Sequence, residues 1–255
     1  MLWVLLQVVS CWLYAWFPEQ PQALEIDQFK NVYILDRATY GVYKYNRDGK
    51  LTEELTNDRF LDIQDIEING LRLILLDRTR LYFYDLFFAP LSSIAIPEEI
   101  IAPSRLAVLP DGYYFLDREQ NQLFRLSAQA TRFQQITPWQ GQPLTDIEGG
   151  DNQLFVLTKE SHILKYSSGG NFITSFGPFG GKGLCMDYSH PFLVVGTGDS
   201  LFLFRQENDS LVTEKILEHN LGEDLKDIAI ADSTIYLLAD SIYTRPFVVK
   251  SRKKQ

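Results

Sequence analysis

The chain has few of the residues that most catalytic and metal sites use. It contains two cysteines and three histidines among 255 residues. The histidines His162, His190 and His219 show neither HxxxH nor HxH spacing, so the sequence does not gather the three or four ligands of a zinc site. It also lacks a nucleophile-elbow, P-loop or dinucleotide-binding motif. These absences favour a protein that is not an enzyme.

Cysteine is too scarce to support a disulfide framework. If Cys11 is removed or lipidated, Cys185 is left alone. Cys185 lies in the apolar stretch Leu184–Met186. This setting favours a buried, unreactive thiol over a nucleophile.

Positive charge is scarce as well. The formal net charge is -9 and the sequence pI is about 4.9. Proteins that bind nucleic acid need a basic stripe to replace the phosphate counterions, and the body of the chain has none. The basic tail, residues 251–255, is typical of a solvated C-terminus. We therefore expect no nucleic-acid partner.

Charge of either sign is absent from residues 1–17. This apolar run is shorter than the roughly 20 residues of a membrane-spanning helix, which favours a secretory leader. The segment Val8–Cys11 resembles the lipobox of bacterial lipoproteins, which makes Cys11 a candidate lipidation site. Cleavage near Ala15 or Ala23, or an uncleaved apolar tail packed on a partner, is the alternative. Both interpretations predict an exported protein of the periplasm or outer membrane, attached through the Cys11 lipid or the apolar N-terminus.

A repeat of about 40 residues runs through the rest of the chain. In each unit an apolar run ends in a turn and a second apolar run follows. The first runs end 41, 40, 41, 39 and 42 residues apart, at Asp36, Asp77, Asp117, Thr158, Thr197 and Ala239. This period predicts an all-β fold, a six-bladed β-propeller with four-stranded antiparallel blades around a central axis. We expect one domain over residues 18–250, with blades near 24–58, 63–98, 103–138, 144–178, 182–218 and 225–250.

The second unit shows the pattern of strands clearly. Its strands are predicted at Ile66–Ile68, Leu71–Leu76, Leu81–Tyr84 and Ser92–Ile96, with an Asn-Gly hairpin after the first. The sixth blade is completed either by Pro246–Lys250 or by an N-terminal strand near Ala23–Ile26. Either would cover a sheet edge that is otherwise open to aggregation, and the sequence does not decide between them.

The first unit resembles an NHL repeat. Its apolar run ends at Asp36, a second strand follows, and Asp48-Gly49 forms a turn. The glycine-rich stretch Phe176–Gly183 is similar to that family's connection between blades. The resemblance covers all six units and is strongest in the first four. It implies a six-bladed propeller but no single activity, because NHL-like proteins include lyases, lactonases, receptor ectodomains and scaffolds.

Three aspartates recur at the start of a predicted innermost strand. Asp65, Asp146 and Asp227 are spaced 81 residues apart, so they belong to every second blade and converge on the channel mouth. Three carboxylates suit a hard cation such as Ca²⁺. The simpler interpretation is that each caps a turn through its own backbone, with Arg105 neutralising a neighbour. We expect no cofactor, and the sequence assigns no metal.

The lactonase branch of six-bladed propellers is a rival resemblance. It implies a divalent metal held on the axis by Glu, Asn and Asp. The starting Glu-Gly-Pro motif of that branch is absent, and Leu24–Asp27 stands in its place. No active site is therefore carried over.

One turn of blade 2 breaks the polar pattern of its equivalents. Residues Asp85–Leu91 are largely apolar, whereas the matching turns of blades 1, 3, 4 and 5 are polar. Exposed apolar patches mark contacts with partners or membranes, so Leu86, Phe87, Phe88 and Pro90 are candidate partner contacts. The alternative is that the two rings fold back under the blade.

These features favour a binding or scaffold propeller of the bacterial cell envelope, without catalysis. It would contact a protein partner, for example as a subunit of an outer-membrane complex. The alternative is a metal-dependent hydrolase of the lactonase or lyase kind with an axial site.

Overall fold

The computed structural model describes residues 17–56, 60, 62–130, 132–136, 141–207 and 210–247. Its strands form six antiparallel sheets, each built from strands that are consecutive in the chain. Five sheets have four strands, and the sixth has three within the described residues. The prediction of a six-bladed β-propeller is confirmed.

The bounds of the strands show how regularly the chain repeats. Blades 1 to 3 contain β1 (Pro21–Ile26), β2 (Val32–Asp36), β3 (Gly41–Tyr45), β4 (Leu51–Leu55), β5 (Ile63–Asn69), β6 (Arg72–Asp77), β7 (Arg80–Asp85), β8 (Pro90–Ala95), β9 (Pro103–Leu109), β10 (Gly112–Asp117), β11 (Gln122–Ser127) and β12 (Phe133–Ile136). Blades 4 to 6 contain β13 (Leu144–Gly150), β14 (Gln153–Thr158), β15 (Ile163–Ser167), β16 (Phe172–Phe176), β17 (Gly183–Ser189), β18 (Phe192–Thr197), β19 (Ser200–Glu207), β20 (Ser210–Glu218), β21 (Asp227–Ala231), β22 (Thr234–Leu238) and β23 (Ile242–Pro246).

The N-terminal segment Ala23–Ile26 belongs to blade 1. It lies in β1, which pairs with β2, so the alternative that this segment completes blade 6 is wrong. The reason is local: the carboxylate of Asp27 accepts the backbone N–H groups of Phe29 and Asn31 at 2.8 Å each, which fixes a short hairpin between β1 and β2. Since Ala23 is buried in β1, cleavage there would divide an innermost strand.

The other terminus supplies the third strand of blade 6, because β23 pairs with β22. Residues 248–250 of the second alternative, the candidate lipidation site Cys11 and the basic tail 251–255 lie outside the described residues. Within the described part of the chain, no helix has the length and apolar character needed to cross a membrane.

Each joint between adjacent blades encloses its own apolar cluster. In one of them Tyr33 and Leu35 of blade 1 pack with Ile63 and Leu75 of blade 2, and five similar clusters fill the other joints. The second and third strands of a blade contact neighbours on both faces. They therefore read as continuous apolar runs rather than alternating ones, and β2 is buried along its whole length.

The innermost strands β1, β5, β9, β13, β17 and β21 surround the channel. We call the face where they begin the entry face and the opposite one the hairpin face. Turns such as that between β2 and β3 lie on the entry face, because strand direction alternates along each blade. The strands approach each other closely: a Cβ on Gly149 of blade 4 would lie 2.7 Å from the carbonyl oxygen of Val108 in blade 3.

Candidate functional site: the axial channel and the edge of blade 2

The innermost strands carry two rings of equivalent positions, because side chains two residues apart in a strand share one face. The upper ring, nearer the entry face, consists of Ala23, Asp65, Arg105, Asp146, Cys185 and Asp227. The lower ring, two residues further along each strand, consists of Glu25, Glu67, Ala107, Glu148, Asp187 and Ala229. All the acidic members and Arg105 line the narrow throat of the channel.

The three aspartates of the upper ring lie on blades 2, 4 and 6. Each of them joins its own blade to the next one through a carboxylate oxygen. Asp65 accepts the backbone N–H of Leu106, Asp146 that of Met186 and Asp227 that of Leu24, all at 2.8 Å. Asp146 and Asp227 also accept the N–H of the residue that follows them, at 3.0 and 2.9 Å. The carboxylates therefore act as clips between blades.

Other contacts join the blades that these clips leave out. Asp187 of the lower ring accepts the N–H of Ile230 in blade 6 at 2.5 Å. The amide of Gln22 donates to the carbonyl oxygen of Gln64 at 2.5 Å, between blades 1 and 2. The clip from Asp227 to Leu24 has a special position, since it joins the last blade to the first.

Arg105 lies between two of the three aspartates. Its guanidinium is 3.7 Å from Asp65 and 3.1 Å from Asp146. Burial raises the pKa of Asp65 to about 7 and also raises that of Asp146, although Arg105 acts against the rise in both. Burial, only partly offset by Arg105, holds the pKa of Asp227 well above its usual value.

The upper ring does not fit a resident Ca²⁺ ion. In the part of the chain that the structure describes, no group of three or more His, Cys, Asp and Glu side chains has the arrangement of a metal site. The guanidinium of Arg105 lies between Asp65 and Asp146 and already supplies a positive charge there. The other oxygen of each carboxylate accepts a backbone N–H group, so these oxygens are already engaged.

The lower ring was missed by the sequence analysis. Burial and the neighbouring carboxylates hold the pKa values of Glu25, Glu67 and Glu148 well above their usual range. Burial raises the pKa of Asp187 to about 7. A signal for two of them was present, because Glu67 and Glu148 follow Asp65 and Asp146 by two residues and must share their face of the strand.

The channel opens differently at its two ends. At the entry face lies a cavity of about 510 Å³, the entry cavity, whose lining includes Arg37, Arg105, Arg118 and Lys226. Below it the throat has room for about 20 Å³. The opening at the hairpin face, about 270 Å³, is lined by the four carboxylates of the lower ring. Basic side chains therefore line one end of the axis and carboxyl groups line the other.

The four candidate contact residues in the apolar turn of blade 2 differ in their exposure. The side chain of Phe87 is 77% exposed and Pro90 is also exposed, whereas Leu86 is buried. Phe88 packs inward, with its ring 6.0 Å from that of Tyr33. One predicted ring therefore points outward and the other folds back under the blade.

Lys44 of blade 1 holds this turn in place. Its ammonium group donates to the carbonyl oxygen of Leu86 at 2.6 Å. It also lies 4.9 Å from the centre of the Phe87 ring, within the range of a cation–π contact. These two contacts of Lys44 hold the exposed ring of Phe87 in position.

An apolar groove lies beside this turn, between blades 1 and 2. It encloses about 430 Å³ and is lined by Leu55, Tyr82, Tyr84, Phe88, Pro90, Leu91, Ser92 and Ser93. The strand that borders it, β8, is the outermost of blade 2 and carries no charged residue. Its Leu91 is 53% exposed. We call Phe87, the groove and β8 the blade-2 edge.

The three histidines lie apart from one another. His162 precedes β15, His190 lies in the hairpin between β17 and β18, and His219 follows β20. His190 contacts Asp151 at 2.6 Å on the hairpin face, and buried His219 bonds to the carbonyl oxygen of Thr197 at 2.9 Å. Cys185, the free cysteine of the described residues, is buried.

Comparison with known proteins establishes the fold. The virginiamycin B lyase from Staphylococcus aureus has 16% sequence identity and a TM-score of 0.61, over 91% of this chain and 86% of its own. A streptogramin B lyase has 12% identity and a TM-score of 0.64, over 92% and 86%. A chain of the mitotic checkpoint complex has 9% identity and a TM-score of 0.62, over 94% and 88%.

These likenesses carry no activity to this chain, because identities this low show the fold alone. No protein-family model matches the sequence, and no curated protein matches it significantly. The propeller is therefore established, while the NHL-repeat resemblance stays a prediction.

Proposed function

We propose that this chain is a binding propeller without catalysis, which holds a protein partner through the blade-2 edge. The observation that carries the proposal is the exposed ring of Phe87 beside an apolar groove and an uncharged outer strand. An outer strand presents unpaired N–H and C=O groups, and proteins usually protect such strands with charge. The outer strands β4 and β20 carry charge, whereas β8, β12 and β16 do not. Of the three uncharged strands, β8 is the one bordered by the exposed ring of Phe87 and the groove.

The chemistry of this edge indicates the kind of partner. An extended protein segment can add to β8 through main-chain hydrogen bonds, with its alternate side chains entering the groove. Leu55 and Tyr82 would receive apolar side chains there. The ring of Phe87 would supply the aromatic anchor that is typical of energetic centres in interfaces.

The place of this binding is proposed to be the bacterial cell envelope. The support for it comes from the sequence, in the uncharged residues 1–17 and the lipobox-like Val8–Cys11. A subunit role in an outer-membrane complex agrees with a propeller that binds protein at its edge. One structural neighbour is likewise a chain of a multiprotein complex. Among the described residues, no specific observation favours the hydrolase or lyase alternative.

The double substitution Phe87→Ser with Leu91→Ser tests the proposal. Neither side chain is core, so we expect the variant to fold normally and to lose at least about tenfold in affinity for the partner. Tagged wild type and tagged variant are each used to capture the partner from native membranes of the source organism, and the captured amounts are compared over a range of bait concentrations. Thermal unfolding of the two proteins checks that the variant folds normally. A photo-crosslinker placed at Phe87 then identifies what lies against it.

The matched control is Ile216→Ser. Ile216 is 56% exposed on the outer strand of blade 5, so this variant should retain the partner. Equal capture by the wild type and the double variant would contradict the proposal. Loss of capture by the control as well would also contradict it, because the loss would then not be specific to blade 2.

A further inference from the structure

The entry cavity is lined mainly by basic and neutral polar side chains, although the protein is acidic. Its lining contains Arg37, Arg105, Arg118 and Lys226 and a single acidic residue, Glu223. That glutamate is 3.2 Å from Lys182, which is outside the lining. Arg105 is paired with Asp65 and Asp146 below the cavity. Among the described residues, Arg37, Arg118 and Lys226 form no ion pair with the wall of the cavity, although the whole chain has a net charge of -9.

Arg37 and Arg118 occupy equivalent turns at the rim of the cavity. Each follows a buried aspartate at the end of a second strand. Asp36 accepts the backbone N–H of Gln20 at 2.7 Å, and Asp117 accepts that of Ile101 at 2.6 Å. These carboxylates are used by the backbone, and they form no ion pair with the arginine beside them in the described residues.

The backbone of both arginines is fixed as well. The N–H of Arg37 donates to the carbonyl oxygen of Gln20 at 2.8 Å, and that of Arg118 to Ala102 at 3.0 Å. In the part of the chain described, no ion pair involves either guanidinium, and both residues are exposed. Two guanidinium groups, carried by turns with a fixed backbone, thus line the same cavity without an ion-pair partner among the described residues.

Arg105 forms the floor between these turns. Its side chain is 18% exposed and lines both the cavity and the throat. The throat below it has about 20 Å³, little more than one water molecule occupies, and carboxylates surround it. An anion that enters at this face therefore stops at Arg105. Neutral hydrogen-bonding groups complete the wall: Gln20, Gln22, Gln64, Ser104 and Thr145.

We propose that the entry cavity binds a small anion with two or more negative charges, such as a di- or tricarboxylate or a phosphate compound. Guanidinium groups match carboxylates and phosphates in a two-pronged geometry. The volume of about 510 Å³ is that of a small-molecule site, and the narrow throat below it prevents a ligand from passing further along the axis. This site is on the opposite face from the apolar turn of blade 2, so it does not rest on the proposed protein contact.

Isothermal titration calorimetry tests the proposal with citrate and pyrophosphate as probes, and with spermidine as the cationic probe. We expect the purified full chain to bind at least one of the two anions and not spermidine, more weakly as salt rises. Arg37→Ala with Arg118→Ala should weaken binding by at least about tenfold, without a change in thermal stability of the unliganded protein.

The chain offers a matched control in Arg78→Ala. Arg78 holds the same turn position in blade 2, after buried Asp77, but does not line the cavity. This variant should bind like the wild type. Absence of binding for both anions, or equal weakening by Arg78→Ala and the double variant, would overturn the proposal. Binding only of an oligo-aspartate peptide would also overturn it, because the occupant would then be a polypeptide.

Discussion

At the scale of the residue, the buried guanidinium of Arg105 links three adjacent blades at the propeller axis. Two carboxylates contact it from blades 2 and 4, and all three groups are largely removed from water. Burial of charge is costly, and a buried pair that loses one member leaves an uncompensated charge. The strength of this arrangement therefore depends on the protonation of Asp65 and Asp146.

We expect Arg105→Met to destabilise the protein by about 3 kcal/mol at pH 8. The loss should be smaller at pH 5, because the pKa of Asp65 is raised to about 7 and this carboxyl is protonated there, in less need of the cation. The raised pKa of Asp146 acts in the same direction. Urea unfolding at the two pH values measures it. The control is Lys30→Met, which breaks an exposed pair with Asp232 and should change the free energy of unfolding little at either pH. An equal loss at both pH values would contradict this account.

At the scale of the element, the joint between blades 6 and 1 closes the ring without a covalent link. Its parts are an apolar cluster that includes Leu24 and Leu238 and the clip from Asp227 to the N–H of Leu24. The clip needs an acceptor oxygen rather than a charge, since the pKa of Asp227 is well above its usual value. A neutral acceptor can therefore serve in its place.

Asp227→Asn and Asp227→Leu separate the acceptor from the charge. The Asn variant retains one oxygen for Leu24, although its NH2 group replaces the oxygen that accepts the N–H of Ile228, and it should lose less stability at neutral pH than the Leu variant. The Leu variant leaves the N–H of Leu24 without its acceptor and should lose about 1–3 kcal/mol. Urea unfolding of both variants gives the comparison. A loss in the Asn variant as large as in the Leu variant would mean that the joint requires the negative charge.

The same joint shows what the sequence can and cannot predict. The 81-residue spacing placed Asp65, Asp146 and Asp227 on alternate blades, because the repeat length and strand direction determine that position. The acceptor role toward the next blade was not predictable, since it depends on how closely adjacent innermost strands approach. The place of Ala23–Ile26 in blade 1 likewise depends on the hairpin that Asp27 fixes, which neither repeat length nor hydrophobicity reveals.

At the scale of the whole molecule, basic side chains and carboxyl groups occupy opposite ends of the propeller axis. Arg37, Arg118 and Lys226 line the cavity at the entry face, and the four carboxyl groups of the lower ring line the opposite opening. Burial, and then the repulsion between neighbouring carboxylates when they are ionised, raises the pKa values of this ring. The propeller therefore holds protons in its throat that the unfolded chain would release.

This proton uptake makes stability depend on pH in a defined direction. The folded-state pKa of Asp187 is about 7 against an ordinary value of 3.8, and the ring glutamates stay well above 4.5. Between about pH 4 and 7 the folded state binds more protons than the unfolded state, so the free energy of unfolding falls as pH rises. Below that window these groups are protonated in both states and contribute their full stability.

We therefore expect the Tm at pH 5.5 to exceed that at pH 8 by about 5 °C or more. The double substitution Glu67→Gln with Glu148→Gln removes two of the ring charges and should reduce this difference, with its largest gain in Tm at pH 8. The exposed pair Glu98→Gln with Glu99→Gln, between β8 and β9, controls for a general change in net charge. Thermal unfolding from pH 5 to 8 measures all three proteins. A Tm that rises toward pH 8, or an equal change in both variants, would mean that the ring does not hold these protons.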